Sequence, residues 1–236
     1  MKRTKFPFLL ILATFLLLSS NSFAQKEKWV PLFDGQSLKG WTIHSGFAKY
    51  RVENGEIIGT SVANSPNSFL CTDREYADFI LEFEVFLLSS ELNSGVQFRS
   101  KIAKDETMFW FRNDKGEYFQ RTIPKDRVYG YQVEIASAGV AASGGVYDEA
   151  RRAMIDAWWP DKGTPESKAF KDGEWNKYRV ECKGDSIKTI VNGIVVTEFR
   201  DGLSSEGIIG LQVHDVGPNT TPLEVKWRNI RIMELD

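Results

Sequence analysis

The feature that most constrains this chain is a period-two alternation of apolar and polar residues that recurs over most of its length. It is carried by eight segments, at 79–88, 95–100, 131–135, 177–183, 186–191, 194–199, 207–214 and 224–233. Successive side chains of a β-strand point to opposite faces, so each segment predicts a strand with one apolar face. Helical periodicity is poor, and only 148–155 suggests a short turn or helix.

Turn residues separate these segments and make neighbouring strands antiparallel. The dipeptide Asn192-Gly193 is typical of a tight type I′ hairpin, and Gly184-Asp185 marks another turn. Many antiparallel strands with one apolar face each can bury those faces only against a second sheet. The sequence therefore predicts an all-β fold, a sandwich or jelly roll of two antiparallel sheets.

The N-terminus has the composition of an export signal. Basic residues at 2, 3 and 5 precede an apolar run at 6–18 and the small-x-small pattern Ser22-Phe23-Ala24. We expect a signal peptide over 1–24 and a single jelly-roll domain over 25–236. The run is short for a membrane span, and no cysteine follows the cleavage site to carry a lipid. The sequence predicts a periplasmic or secreted protein with no membrane span after cleavage.

The charge balance restricts the partners. Thirty Lys and Arg residues face 32 Asp and Glu residues, and the formal net charge is −2. With no basic tract or acidic tail, the sequence does not favour nucleic acid or a membrane surface. A neutral small molecule or polymer fits better, and we expect no nucleotide cofactor.

Cys71 and Cys182 are the only cysteines. In an exported protein they could form a disulfide. Cys182 shares its predicted strand face with Tyr178 and Val180, so two buried free thiols fit the sequence equally well. The sequence leaves both alternatives open.

Two long stretches without a clear period, 101–127 and 136–171, interrupt the strands. Long loops in a compact domain are often functional. The second stretch carries Tyr147, Trp158 and Trp159, which we predict to be rim and pocket residues.

Strand parity also predicts a sheet face that is rich in Gln, Glu, Arg and His rather than in Lys, Thr and Ser. Its members are Glu82, Glu84, Gln97, Arg99, Gln132, Glu134, Gln212, His214 and Arg228. These side chains hydrogen-bond sugar hydroxyls and polarise carbonyls, while aromatic loop residues can stack on sugar rings. The alternative is a solvated face with cross-strand ion pairs such as Glu84 with Arg99.

An ordered set of short motifs resembles the 3-keto-disaccharide hydrolase family over essentially the whole chain after residue 31. The motifs are LFDGQSLKGW at 32–41, NSGVQFR at 93–99, GYQVEI at 130–135, GGVYDE at 144–149, EWNKYR at 174–179, VNG at 191–193, GLQVH at 210–214 and WRNIRI at 227–232. The resemblance implies a concanavalin A-like jelly roll in an exported protein that cleaves 3-keto-glycosides, either by net hydrolysis or by elimination and hydration.

That chemistry does not require a carboxylate nucleophile. A ketone at C3 acidifies the proton on C2, a base removes it, a donor or cation stabilises the enolate oxygen, and the C1 substituent departs before water adds. Conventional retaining glycosidases of this fold use the strand signature Glu-x-Asp-x-x-Glu, which is absent from the sequence. Such a glycosidase is therefore disfavoured.

Residue roles follow from parity and from the position of each residue in the family motifs. We expect His214 or Glu134 to transfer the proton. Arg99 and Arg228 are candidates for holding the keto or enolate oxygen. The remaining predicted substrate-binding residues on this face are Glu84, Gln97, Gln132 and Gln212.

A divalent metal is an alternative electrophile, with His214, Glu134 and Glu84 as ligands, although no clustered His or Cys spacing supports it. A second predicted substrate-binding group, Tyr147, Asp148 and Arg151, follows the flexible pair Gly144-Gly145; the alternative for it is a surface charge cluster. Trp158 and Trp159 are each either a stacking platform or a hydrophobic plug.

The predicted partner is an oligosaccharide or glycoside substrate, supplied in its 3-keto form by a separate sugar 3-oxidoreductase. Two other classes compete with an enzyme. One is a non-catalytic, lectin-like carbohydrate-binding protein with the same fold and face. The other is a structural or interaction domain whose polar face is only solvated.

Overall fold

The computed structural model describes residues 28–112, 116–155 and 158–235, which form seventeen β-strands and one 3₁₀ turn at Glu166–Lys168. The strands are β1 (Val30–Pro31), β2 (Trp41–His44), β3 (Lys49–Glu53), β4 (Glu56–Thr60), β5 (Ser68–Thr72), β6 (Phe79–Leu87), β7 (Ser94–Ile102), β8 (Thr107–Arg112), β9 (Tyr118–Ile123), β10 (Val128–Ile135), β11 (Val146–Glu149), β12 (Ala153–Met154), β13 (Asn176–Lys183), β14 (Ser186–Val191), β15 (Ile194–Arg200), β16 (Ile208–Val213) and β17 (Glu224–Glu234).

Two large antiparallel sheets contain most of these strands. The first sheet has the order β15-β14-β13-β6-β17-β4-β3, and β1 pairs with β17. The second sheet has the order β12-β11-β10-β7-β16-β5-β2. Strands β8 and β9 form a separate two-stranded hairpin.

The core lies between the two sheets. Phe83 of the first sheet stacks on its neighbour Tyr178 with ring centroids 5.1 Å apart, and Phe98 of the second sheet stacks on Tyr131 at 5.6 Å. Trp227 is fully buried. Each sheet buries its apolar face on the other, which confirms the predicted all-β sandwich, a concanavalin A-like jelly roll.

The eight predicted strands are all present, with ends that shift by a few residues. Both predicted turns are present as well. Asn192 and Gly193 have φ angles of 50° and 84° between the paired residues Val191 and Ile194, as a type I′ hairpin requires. Gly184 has a φ of 56° in the turn between β13 and β14.

The predictions were wrong where the chain shows no clear period. The stretch 101–127 holds the β8–β9 hairpin, and 136–171 holds β11 and β12, so neither is wholly irregular. In β8, aromatic residues occupy both faces and hide the alternation. Segment 148–155 is strand, turn and strand rather than helix, and β2 to β5 were not among the predicted strands.

The two cysteines lie in different sheets, Cys71 in β5 and Cys182 in β13. Both are free and buried. Burial raises the pKa of Cys71 and raises that of Cys182 to about 12. The structure therefore has two buried thiols and no disulfide between them.

The predicted signal peptide falls within 1–27 and lies outside the described residues. In the part of the chain that the structure describes, no helix has the length and apolar character needed to cross a membrane.

Candidate functional site

Three buried glutamines form the floor of the site on the face of the second sheet that points away from the core. Gln132, Gln97 and Gln212 lie on the neighbouring strands β10, β7 and β16. Gln97 Nε2 donates to Gln132 Oε1 at 2.7 Å, and the Ser100 hydroxyl donates to Gln97 Oε1 at 2.7 Å. These bonds fix the orientation of both amides. Gln97 therefore supports the Gln132 side chain from beneath the site.

Gly95 makes room for the Gln132 side chain to lie across the sheet. A Cβ atom at Gly95 would lie 2.4 Å from Gln132 Cδ, closer than any real contact. The glycine of the motif NSGVQFR therefore shapes the floor of the site.

A cavity of about 420 Å³ opens above this floor, and we call it the central cavity. Five strand residues and the loops around them form its walls. The lining residues are Asn67, Asn93, Arg127, Gln132, Glu134, Tyr147, Glu149, Trp159, Gln212 and His214.

Glu134 is a buried carboxyl group on the wall of this cavity. Asn93 Nδ2 donates to its Oε1, and Gln132 Nε2 donates to its Oε2 at 3.2 Å. Burial raises the pKa of Glu134 above the ordinary range, and the two amide donors and His214 oppose that shift only in part. Glu134 can therefore hold a proton more readily than a surface glutamate does.

Glu149 is the second buried carboxyl group in the cavity, and it binds the Arg127 guanidinium. Burial raises the pKa of Glu149, and the positive charge of Arg127 opposes the rise. The pair places a cation on the cavity wall in a fixed position.

His214 follows β16 directly and lines the same cavity. Its Nδ1 lies 2.8 Å from the backbone carbonyl oxygen of Asp215. A carbonyl oxygen can only accept, so Nδ1 carries the hydrogen and Nε2 keeps a lone pair in the neutral ring. The backbone contact therefore selects the tautomer in which Nε2 is the basic nitrogen.

Gln212 differs from the other two glutamines. Both polar atoms of its side chain are buried and lack a protein partner among the described residues. The indole nitrogen of Trp159, on the cavity wall, is also unpaired. Buried polar groups are nearly always satisfied, so these atoms mark where a ligand with hydroxyl groups can bind.

The structure brings together part of the predicted site. Glu134, Gln132, Gln212, His214 and Tyr147 line the central cavity, and Gln97 supports it. Sequence reasoning missed Asn67, Asn93, Arg127 and Glu149. Asn67, Asn93 and Arg127 lie outside the strand segments whose faces could be assigned from parity. Glu149 ends β11, a strand that was not predicted, although it lies on the same face of that strand as the predicted Tyr147.

Glu84 and Arg228 do not line the central cavity. The prediction that they lie on the same sheet face as Glu134 and His214 was wrong. They lie opposite each other on β6 and β17 of the first sheet, where Arg228 Nε donates to Glu84 Oε2 at 2.7 Å. Alternation shows which residues of one strand share a face, but not which sheet the strand joins. The suggested pair of Glu84 with Arg99 is wrong for the same reason.

Arg99 is also turned away from the site. It has a φ of 45°, next to register shifts in the pairing of β7 with both of its neighbours. Its guanidinium donates to the carbonyl oxygens of Ala77 and Gly184 and to Asp78 Oδ1, each at 2.7 Å. A β-bulge reverses the strand parity at this residue, so its predicted place on the polar sheet face was wrong.

Asp148 and Arg151 lie on the core side of β11, opposite Tyr147. Arg151 Nε donates to Asp148 Oδ1 at 2.7 Å, and Arg152 donates to the other oxygen. Arg152 Nη1 also donates to Asp201 Oδ2 at 2.8 Å. The group is a buried ion network rather than a surface cluster.

Of the two neighbouring tryptophans, only Trp159 lines the central cavity. Trp158 is buried and stacks on Phe199 with ring centroids 4.1 Å apart. Trp158 is therefore the hydrophobic plug of the two predicted alternatives.

The hypothetical metal ligands are not assembled in this structure. Glu84 lies on the opposite sheet from Glu134 and His214. Within residues 28–112, 116–155 and 158–235, no three His, Cys, Asp or Glu side chains are placed to hold a metal ion together.

A two-sheet jelly roll with a polar cavity on one sheet, in a chain that matches a glycoside-acting family, is a protein of the carbohydrate-active class. Residues 28–233 match the family described as the 3-keto-alpha-glucoside-1,2-lyase-like domain, and the chain belongs to that family. No curated protein matches it.

Solved structures share the fold at low sequence identity. An inferred glycosyl hydrolase from Parabacteroides distasonis is 18% identical, with a TM-score of 0.54 over 88% of this chain and 94% of that one. A carbohydrate binding module from Bacillus subtilis is 18% identical, with a TM-score of 0.52 over 83% and 96%. The kappa-carrageenase from Pseudoalteromonas carrageenovora is 11% identical, with a TM-score of 0.50 over 91% and 98%.

Proposed function

We propose that this protein is an exported enzyme that cleaves 3-keto-glycosides in the central cavity, by proton abstraction at C2, elimination at C1 and hydration. One observation carries the proposal. The cavity joins a histidine with a free lone pair, a buried carboxyl group with a raised pKa and a guanidinium, all around a floor of amides. These are the groups that such an elimination needs.

His214 is the base in this proposal. Its Nε2 takes the proton from C2 as the electron pair of the C–H bond moves toward the C3 carbonyl. The contact of Nδ1 with the Asp215 carbonyl holds the ring in the required tautomer and stabilises the cation that forms.

Arg127 stabilises the oxygen at C3 while it carries the negative charge of the enolate. This guanidinium replaces the two arginines that the sequence suggested, and Glu149 fixes its position. Because Glu149 is engaged in this ion pair, it is not a free carboxylate nucleophile. That arrangement favours elimination over conventional glycoside hydrolysis.

Glu134 is the acid that protonates the departing oxygen. As the carbonyl at C3 re-forms, a double bond forms between C1 and C2 and the C1–O bond breaks. Glu134 lies on β10 and His214 follows β16, and β7 separates these strands. Two strand spacings put the two strands roughly 10 Å apart, which supports placing a sugar ring across the floor between Glu134 and His214.

Gln212 and Gln132 bind the hydroxyl groups of the sugar, and Tyr147 and Trp159 close the cavity around it. The unpaired amide of Gln212 gives this interaction a donor and an acceptor. The elimination requires a ketone at C3 of its substrate and does not introduce one, so a separate sugar 3-oxidoreductase must supply the substrate. The predicted signal peptide supports action in the periplasm or outside the cell.

The first test compares 3-keto-glucosides with their unoxidised parents in deuterated water, with and without a chelator. We expect the purified protein to cleave only the keto forms and to introduce deuterium at C2, because the proton at C2 is lost before water adds back. Product NMR measures both results. Equal cleavage of the parent sugars contradicts the proposal, and sugar binding without turnover would instead support a lectin-like protein.

The raised pKa of Glu134 predicts how stability depends on pH. Between the ordinary glutamate pKa of about 4.3 and the raised value, the folded state binds more protons than the unfolded state. The free energy of unfolding of the wild type should therefore fall relative to that of Glu134→Gln as pH rises through this window. Below it, where both states are protonated, the difference should be constant.

Urea denaturation of both proteins from pH 3.5 to 8 measures this difference. A wild type that gains stability relative to the variant as pH rises would show that the pKa of Glu134 is lowered. In that case Glu134 could not act as the proposed acid.

A further inference from the structure

Asn67 lines the central cavity but has no part in the reaction as proposed so far. It directly precedes β5, whose first residue, Ser68, pairs with Val213, the last residue of β16. Continuing this antiparallel register by one position places Asn67 opposite His214. The residue is half-buried. Its side chain is therefore beside the proposed base.

The Asn67 side chain holds the backbone that contacts His214. The backbone N–H of Asp215 donates to Asn67 Oδ1 at 2.9 Å. On the other side of the same residue, the Gly217 N–H donates to Asp215 Oδ1 at 2.6 Å. Asp215 itself is exposed, and these two bonds fix the direction of its carbonyl group. The oxygen of that carbonyl lies 2.8 Å from His214 Nδ1.

The other end of the Asn67 amide contacts the ion pair of the cavity. A backbone N–H can only donate, so Oδ1 faces Asp215 and Nδ2 is left to donate elsewhere. Burial raises the pKa of Glu149, and the Asn67 side chain opposes that rise by a hydrogen bond to the carboxyl group. Glu149 in turn binds Arg127. A single amide thus links the backbone beside the proposed base to the proposed enolate-stabilising pair.

The loop that carries Asn67 is firmly held. Ser65 and Ser68 are both buried, and their hydroxyl groups donate to the Pro66 carbonyl oxygen at 2.9 and 3.2 Å. The same two hydroxyl oxygens accept from the backbone N–H groups of 47–48, each at 2.9 Å. Asn67 is therefore mounted on a rigid support and can impose a position on Asp215.

We infer that Asn67 is a positioning residue, which holds Asp215 so that the neutral His214 ring keeps its hydrogen on Nδ1 and its lone pair on Nε2. The catalytic consequence rests on the proposed function, whereas the tautomer itself does not. A neighbouring cavity of about 560 Å³ also borders Asn67, His214 and Asp215. Without the Asn67 amide, water in that cavity can replace the bond to Asp215, and the ring can then exchange between its two tautomers.

Three variants separate the two bonds of Asn67. Asn67→Ala removes both of them. Asn67→Asp keeps an oxygen for the Asp215 N–H but has no donor for Glu149. Asn219→Ala is the matched control, because Asn219 Oδ1 accepts from the Thr221 N–H at 2.9 Å farther along the same loop and lines neither cavity.

The first measurement is the tautomer of His214, read from the chemical shifts of the ring nitrogens in long-range proton–nitrogen spectra. The spectra are recorded at a pH high enough for the ring to be neutral in every variant. The chain has two histidines, so His44→Gln assigns the signals of His214. We expect the hydrogen mainly on Nδ1 in the wild type, Asn67→Asp and Asn219→Ala, and a loss of about half of that population in Asn67→Ala.

The second measurement is the steady-state kinetics of the wild type, Asn67→Ala and Asn219→Ala on a 3-keto-glucoside. In Asn67→Ala fewer histidine rings present a lone pair at Nε2, so we expect kcat to fall about tenfold. KM should change by less than about twofold, because Asn67 acts through His214 rather than on the sugar. Asn219→Ala should leave both constants unchanged.

A wild-type ring with its hydrogen mainly on Nε2, or an unchanged tautomer in Asn67→Ala, would overturn the inference. An equal shift in Asn219→Ala or in Asn67→Asp would overturn it as well, and so would a rise in KM with kcat unchanged, since Asn67 would then bind the sugar. A tautomer shift in a protein that cleaves no keto sugar would support the role of Asn67 and reject the proposed reaction. Keto-sugar cleavage with an unchanged tautomer would do the reverse.

Discussion

Replacing Glu134 by glutamine is expected to lower kcat for 3-keto-glycoside cleavage by about 10²- to 10⁴-fold, the usual contribution of a general acid or base. The glutamine keeps the size of the side chain but cannot give a proton to the leaving oxygen. Burial and the neighbours Asn93 and Gln132 keep the group in place, so the loss should appear mainly in kcat. Steady-state kinetics on a 3-keto-glucoside measures it.

Glu84→Gln is the matched control for this experiment. Glu84 lies on the first sheet and pairs with Arg228, and both side chains are partly exposed. The change should leave kcat unchanged and alter the free energy of unfolding by at most about 1 kcal/mol. Equal loss of activity in both variants, or full activity in Glu134→Gln, would remove Glu134 from the reaction.

Replacing Asp148 by alanine is expected to destabilise the protein by about 3–5 kcal/mol, because the change leaves buried positive charge without its partner. Asp148 is fully buried, and its two oxygens accept from Arg151 and Arg152. Arg152 retains Asp201, whereas Arg151 retains only the Ser204 hydroxyl besides its contacts with aromatic rings. Urea denaturation measures the change in the free energy of unfolding.

Asp185→Ala removes an exposed ion pair with Arg200 and provides the comparison. It should cost at most about 1 kcal/mol, since the solvent screens both charges. If Asp148→Ala lowers the free energy of unfolding by as little, the ion network does not stabilise the fold. The prediction that Asp148 binds substrate would then have to be reconsidered.

Much of the fold could be predicted because the strands that form its core have clear patterns. Strands β6, β7, β10, β13 and β17 alternate with period two, and the Asn192-Gly193 turn has a strong backbone preference. Hydrophobic burial acts on whole strand faces, so a local pattern is enough to identify them. The β8–β9 hairpin could not be found in this way because its aromatic residues occupy both faces.

The candidate site was only partly predictable. Glu134, Gln132, Gln212 and His214 could be found because they lie on regular strands of one sheet or at the end of one. Arg127 and Asn93 could not, because loop positions carry no period. Arg99 was misplaced because a bulge reverses the parity of β7, and a bulge depends on how three strands fit together.

The sequence by itself determined that the segments with a clear period of two are strands, which side of most of them is apolar, and the family to which the motifs belong. These properties depend on neighbours along the chain and on the solvent, so they can be read locally. Only the tertiary structure decided that Glu84 and Arg228 pair on one sheet while Glu134 and His214 share a cavity on the other. Strand order and register bring together residues that are distant in the sequence, and burial within the finished fold then raises the pKa of Glu134.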